Sequence, residues 1–128
     1  MVNSKIEKMC PCGSGKNYSH CCAPFLEGAV NAPDAEKLMR SRYTAYTLED
    51  EAYLQKTWHP LKRPGKIIQQ SSQWIGLKVI AHHQQEQTAT VEFIAKYKVN
   101  GRAEKMHEIS RFVFEDGRWF YVEGEFPN

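Results

Sequence analysis

The sequence has no apolar run approaching the roughly 20 residues that a membrane span requires. Its first residues, Met1-Val2-Asn3-Ser4-Lys5-Ile6-Glu7, lack the apolar stretch of a secretory signal, so the expectation is a soluble cytoplasmic protein. Internal repeats and low-complexity segments are absent, which excludes a repeat array. No cysteine occurs after Cys22. Charge of one sign is scarce too, since 17 Lys and Arg against 15 Asp and Glu leave +2. Four thiolates around one divalent cation add −2 and bring that formal total to about 0. The basic-charge argument for a nucleic-acid partner then largely disappears.

What the chain does have is enough apolar material for one core. With 41% hydrophobic and 12% aromatic residues in 128, one globular domain plus an appendage is expected. Because all the cysteines precede residue 32, we divide the chain into a knuckle and linker, 1–32, and an α+β domain, 33–128. From Pro33, acidic Asp34 and Glu36 followed by Ala35, Leu38, Met39, Tyr43 and Tyr46 give helical spacing, with a Glu36–Arg40 pair in support. Asp50 caps a second short helix through Leu54 and Thr57, stopped by Pro60, and Pro64 opens a third carrying Ile67, Ile68 and Trp74. Then β-branched and aromatic residues predict four strands over 76–85, 88–99, 103–115 and 118–125. Asn100-Gly101 and Asp116-Gly117 suit hairpin turns. Helices first and a long-stranded meander second imply helices packed on one face of a curled four-stranded antiparallel sheet.

The chemistry concentrates in Cys10-Pro11-Cys12-Gly13-Ser14-Gly15-Lys16-Asn17-Tyr18-Ser19-His20-Cys21-Cys22, with the spacing C-x-C-x8-C-C. Cys10 and Cys12 reach one ion from a tight turn, the glycines let backbone N–H groups approach sulfur, and Cys21 and Cys22 close a tetrahedron. His20 stands close enough to replace Cys22 as the fourth ligand. Disulfide and redox readings fit less well, because the setting is reducing and the spacing is not C-x-x-C. Four filled positions make a structural site, with Zn2+ expected ahead of iron.

This segment resembles the SEC-C motif, the zinc knuckle at the tail of the preprotein translocase motor ATPase, in which the last ligand is His or Cys. The remaining chain resembles the YchJ-type family through Leu38-Met39-Arg40-Ser41-Arg42-Tyr43, Tyr53-Leu54-Gln55-Lys56-Thr57-Trp58-His59-Pro60 and Ser110-Arg111-Phe112. That resemblance implies a nuclear transport factor 2-like cone, in which helices pack against a strongly curved sheet. The knuckle resemblance implies a protein partner of the chaperone, secretion or ribosome class.

A second site is sought among the polar residues of the cone. His59 sits between Trp58 and Pro60 at a helix end, as a general acid or base or as a packed cap. Arg42 shares the stripe of Met39 and Tyr46, and calls for a carboxylate from Glu92, Glu108 or Glu123, or for an anion. Alternation in the third strand puts His107, Ile109, Arg111 and Val113 on one face, and Glu108, Ser110, Phe112 and Phe114 on the other. The pocket candidates are therefore His59, His107 and Arg111, with Glu108 near Tyr43. His82 and His83 point to opposite faces and do not share an ion. A weak nucleic-acid contact would rest on Lys5, Lys8, Lys16 and Tyr18. The leading expectation is an interaction module, not an enzyme, that turns Pro11, Lys16, Asn17, Tyr18 and His20 towards a protein. A small-molecule binder or enzyme using the cone is the alternative.

Overall fold

The structure, a computed structural model, describes residues 8–67 and 73–127. A short helix α1, Ala23–Leu26, follows the cysteine segment directly, with Pro24 in its first turn. Helix α2, Ala35–Thr47, starts where Asp34 accepts a 2.8 Å hydrogen bond from the Lys37 amide, and Glu36 bonds Arg40 one turn on. Its buried positions are Ala35, Leu38, Met39, Ser41, Arg42, Tyr43, Thr44 and Ala45, wider than the single stripe of a surface helix. Helix α3, Glu51–Lys56, is capped by Asp50 through the Tyr53 amide and buries Tyr53 and Leu54.

Beyond α3 the chain does not simply stop at Pro60. The His59 amide donates to the Tyr121 carbonyl and the Tyr121 amide to the Thr57 carbonyl, both at 2.8 Å, tying this segment to the last strand. Among the described residues the helix expected from Pro64 does not form: residues 61–67 are turns and irregular backbone. Ile68 lies outside the described residues. Ile67 acts alone, buried beside Ala45, Tyr53 and Leu54, while its amide donates to Glu51. Trp74 belongs to the first strand, where its ring meets those of Tyr43, Tyr46 and Tyr97. Tertiary ring packing here outweighs a helical pattern of only a few apolar positions.

The strands are β1 Gln73–Gln85, β2 Thr88–Val99, β3 Arg102–Glu115 and β4 Arg118–Glu125. They pair antiparallel in sequence order, a meander, within a curved sheet. Asn100 and Gly101 (φ 54° and 79°) and Asp116 and Gly117 (φ 52° and 84°) take the left-handed conformations that two-residue hairpins need. Register shifts at Trp74/Gly76, Val79/Ala81 and Arg111/Phe112 add local twist and help the long strands curl. On the inner face Ala89, Val91, Phe93 and Ala95 of β2, with Phe112 of β3, pack under Leu38, Met39 and Tyr43 of α2.

Phe112 is the largest of the completely enclosed side chains. Phe112→Ala should cost about 3–5 kcal/mol, whereas Phe114→Ala, on a ring 37% exposed two residues along, should cost well under half as much. Urea denaturation checks this, and equal midpoint shifts would place Phe112 outside the core.

Candidate metal centre and interior cavity

The cysteine segment folds as a miniature hairpin. The Tyr18 amide donates to the Lys8 carbonyl and the Cys10 amide to the Lys16 carbonyl, at 2.9 and 2.8 Å. Gly13 turns the chain at φ 80°, and a Cβ there would stand 3.2 Å from the Leu77 carbonyl of β1, so glycine allows the hairpin to approach the sheet. A 3-10 turn, Tyr18–His20, then delivers Cys21 and Cys22 to the same point.

All four cysteines are free, and their sulfurs lie within 4.8 Å of one another. Cys12 and Cys21 are 3.6 Å apart, and Cys21 and Cys22 4.0 Å. A disulfide would need about 2.05 Å. A tetrahedron with metal–sulfur bonds of about 2.3 Å has edges of about 3.8 Å, so the spacing fits a single ion. Ser14 Oγ lies 3.2 Å from the Cys21 sulfur, and Thr44 Oγ1 of α2 donates to the Cys22 sulfur at 3.4 Å and lies 3.7 Å from that of Cys10. Arg40 donates to the Cys12 carbonyl at 2.7 Å. The knuckle is thus docked on α2, and Cys10, Cys12 and Cys22 are buried in the same cluster as Leu38 and Phe112.

Thiol contacts from Cys10 and Cys22 hold the Cys12 thiol well below its ordinary range, while the contacts with Cys10 and Cys12, together with burial, push Cys22 far up. Burial also raises Cys21. One sulfur therefore carries charge at its neighbours' expense, and only a cation lets all four do so. His20 is exposed and stands outside the four-sulfur group. Pro11, Lys16 and His20 face solvent as expected of an outward surface, whereas Asn17 and Tyr18 are half-buried, Tyr18 against the core. Lys8 is exposed, and Lys5 lies outside the described residues.

The other candidates do not meet. His59 pairs with Glu115 at 2.8 Å and rests edge-on to Phe120. His107 pairs with Glu92 at 2.7 Å, and Arg111 with Glu123, on the outer face of the sheet. His82 turns to Glu36 of α2 at 3.6 Å, while His83 is exposed. None of His59, His107 and Arg111 lines the interior of the cone: odd positions of β3 point outward, and His59 is turned to Glu115 and Phe120.

The interior is not filled. A cavity of about 430 Å³ opens between α2 and the sheet, and its polar lining is Arg42, Glu108, Ser110 and the tyrosines 43, 46, 97 and 121. Arg42 donates through Nη1 to the Leu54 carbonyl at 2.9 Å and to Thr57 Oγ1 at 2.7 Å, and its guanidinium stands over the rings of Tyr121 and Trp58, at 4.4 and 5.0 Å. No carboxylate among the described residues lies within 4.0 Å of it. Of the three carboxylates considered for Arg42, Glu92 and Glu123 have other partners, and Glu108 accepts from Ser110 at 2.8 Å and Tyr121 at 3.0 Å. Inward parity of Glu108, Ser110 and Phe112, combined with Arg42 on the α2 stripe, was the sequence signal for this lining.

The family described as "YchJ, middle NTF2-like domain" matches residues 34–124, and the SEC-C motif matches residues 8–24. A UPF0225 protein of Ralstonia nicotianae is 50% identical, over 91% of this chain and 90% of its own length. A UPF0225 protein of Bordetella pertussis is 48% identical, over 91% of each. Two solved structures are similar. The SEC-C motif containing protein from Rhodopseudomonas palustris has a TM-score of 0.85 at 37% identity, covering 93% of this chain and 98% of that one. That from Psychrobacter arcticus has 0.79 at 29%, covering 93% and 82%.

Burial pushes the Glu108 carboxyl above its ordinary value of 4.5, against the Ser110 and Tyr121 hydrogen bonds and the charge of Arg42. The folded chain thus holds this proton more tightly than the unfolded one, so its contribution to stability is complete below pH 4.5 and is lost as pH rises through the folded value. Glu108→Gln keeps an acceptor for both hydroxyls and removes the titration. Chemical denaturation should show the variant gaining on the wild type between pH 4.5 and 8; a variant that loses ground over that span would refute the assignment.

Proposed function

The chain belongs to the YchJ family, with an NTF2-like domain and a SEC-C motif, and from that premise we propose that it is a zinc-binding interaction module of the cytoplasm. The observation that carries the zinc reading is the set of four sulfurs within 4.8 Å of one another, at separations suited to a tetrahedral ion. The ion supplies cross-linking charge only: four thiolates leave no position for substrate. Ser14 and Thr44 help to carry the thiolate charge, and the centre joins a segment without a core of its own to α2. A reducing compartment keeps these cysteines available to metal.

Elemental analysis of the purified chain should find one zinc, and iron in its place would overturn that identity. Chelation should release four reactive thiols together and lower the melting temperature of the whole domain, since knuckle and cone share a core. Melting unchanged by chelation would sink the structural role. Thr44→Val, which keeps the shape and removes the hydroxyl, should speed zinc loss to a chelator while leaving the stoichiometry at one.

The surface offered to a partner is Pro11, Lys16 and His20, held rigid by the metal. A partner of the chaperone, secretion or ribosome class is supported by the SEC-C match. The test uses purified ribosomes in sedimentation and an immobilised secretory chaperone in retention. Lys16→Glu combined with His20→Ala should retain zinc yet weaken one of these associations by about tenfold or more. Equal association of wild type and variant with both, or with neither, would count against the interaction role.

A further inference from the structure

Close-packed interiors leave few voids larger than a water molecule, so a cavity of about 430 Å³ in this chain calls for an account. Its volume falls in the range of small-molecule sites. Its wall is a run of aromatic rings: Tyr43 and Tyr46 lie 5.8 and 6.3 Å from Trp74, Trp74 5.4 Å from Tyr97, and Tyr121 5.0 Å from Trp58. Such walls favour a flat ring, which they meet edge-on or offset. The cavity reaches the surface beside Phe126, which is 63% exposed, with Met106 half-buried on its lining.

One charged group on this wall has no carboxylate in ion-pair contact, although Glu108 is part of the same lining. Arg42 is 5% exposed, lines the cavity and has no carboxylate within ion-pair distance among the described residues. Its hydrogen bonds to Leu54 and Thr57 both leave from Nη1, the Tyr46 hydroxyl is a further neutral partner, and a guanidinium carries five N–H donors. A buried cation left to ring faces and neutral acceptors is completed by an anion. A carboxylate suits it best: its single charge matches that of Arg42, and its planar oxygens fit the guanidinium fork, whereas a phosphate dianion would bring a second charge with no cation to meet it.

We propose that the cone is a binding site for a small planar aromatic carboxylate, with the carboxylate anchored on Arg42 and the ring held among Trp58, Trp74, Tyr97 and Tyr121. Glu108 completes the anchor. Both of its hydrogen bonds from neighbours end on Oε2, and burial favours its protonated form, which can donate to a ligand oxygen instead of repelling it. This site is separate from the cysteine centre, and its failure leaves the zinc reading untouched.

Isothermal titration calorimetry on the full, zinc-loaded chain tests the proposal with three probes of one shape: 2-naphthoate, 2-naphthamide and 2-naphthylmethylammonium. Naphthoate should bind at least tenfold more tightly than the amide, and the cation should give no heat. Arg42→Gln should abolish the preference for naphthoate over the amide. Because that change removes bonds to Leu54 and Thr57 and can unfold the chain, two further variants keep Arg42. Met106→Trp, filling the cavity from its rim, should abolish naphthoate binding without lowering the melting temperature. Glu108→Gln, which keeps a donor in place of the protonated carboxyl, should bind naphthoate at least as tightly at pH 7. Equal binding of acid and amide, binding that survives Met106→Trp, weaker binding by Glu108→Gln, or no heat from any probe would each overturn the proposal.

Discussion

The hydroxyl of Thr44 is fully enclosed and touches two cysteine sulfurs, at 3.4 Å for Cys22 and 3.7 Å for Cys10. Much of the remaining structure follows from that position. Thr44 sits on α2 beside Tyr43, so this helix is buried by two different parts of the chain. The cysteine hairpin covers one side, and the inner face of β2 and β3 covers the other. A segment of some 15 residues rich in glycine and polar side chains cannot bury enough apolar surface to order itself. Docked on α2, it gains a wall, and α2 in turn loses an exposed flank.

The second constraint is the charge kept inside the cone. Arg42 lies one helical turn from Tyr46 on α2 and is enclosed by rings and by hydrogen-bond acceptors at the end of α3. Through Leu54 and Thr57 it ties α3 to α2, and the Thr57 carbonyl in turn accepts from β4. Glu108 approaches from the opposite wall and is held by Ser110 and Tyr121. Its carboxyl lies so close to Gly124 that a Cβ there would collide with it. Glycine at this point of β4 is therefore a condition for placing a carboxyl in the interior. The outer face carries a half-buried pair, His107 with Glu92, and an exposed one, Arg111 with Glu123, the latter worth little in water.

The parts of the fold that were legible in the sequence share one property: they depend on near neighbours. The acidic start of α2, the Asp50 cap, the Asn100-Gly101 and Asp116-Gly117 turns, and the alternation of β3 are each decided within a few residues. The observed strands accordingly differ from the expected ones only at the start, by three residues in β1 and one in β3. Among the described residues the third helix is absent, because Pro64, Ile67 and Trp74 carry a pattern that two tertiary contacts override: Ile67 anchors under α3, and Trp74 joins a ring cluster with α2 and β2.

For the chemistry, the sequence by itself determined the cysteine spacing and hence the type of site, because C-x-C and C-C each present two sulfurs from one turn of chain. It also determined which residues of β3 share a face, since side chains alternate along any strand, but not which face turns inward, and the pocket candidates His107 and Arg111 lie on the outer one. Only the tertiary structure decided that the hairpin docks, that Thr44 meets its sulfurs, and that His59 and Arg111 have surface partners while Arg42 has no carboxylate. Those outcomes join residues tens of positions apart, and local periodicity carries no information about which distant side chain, charge or empty space will stand opposite.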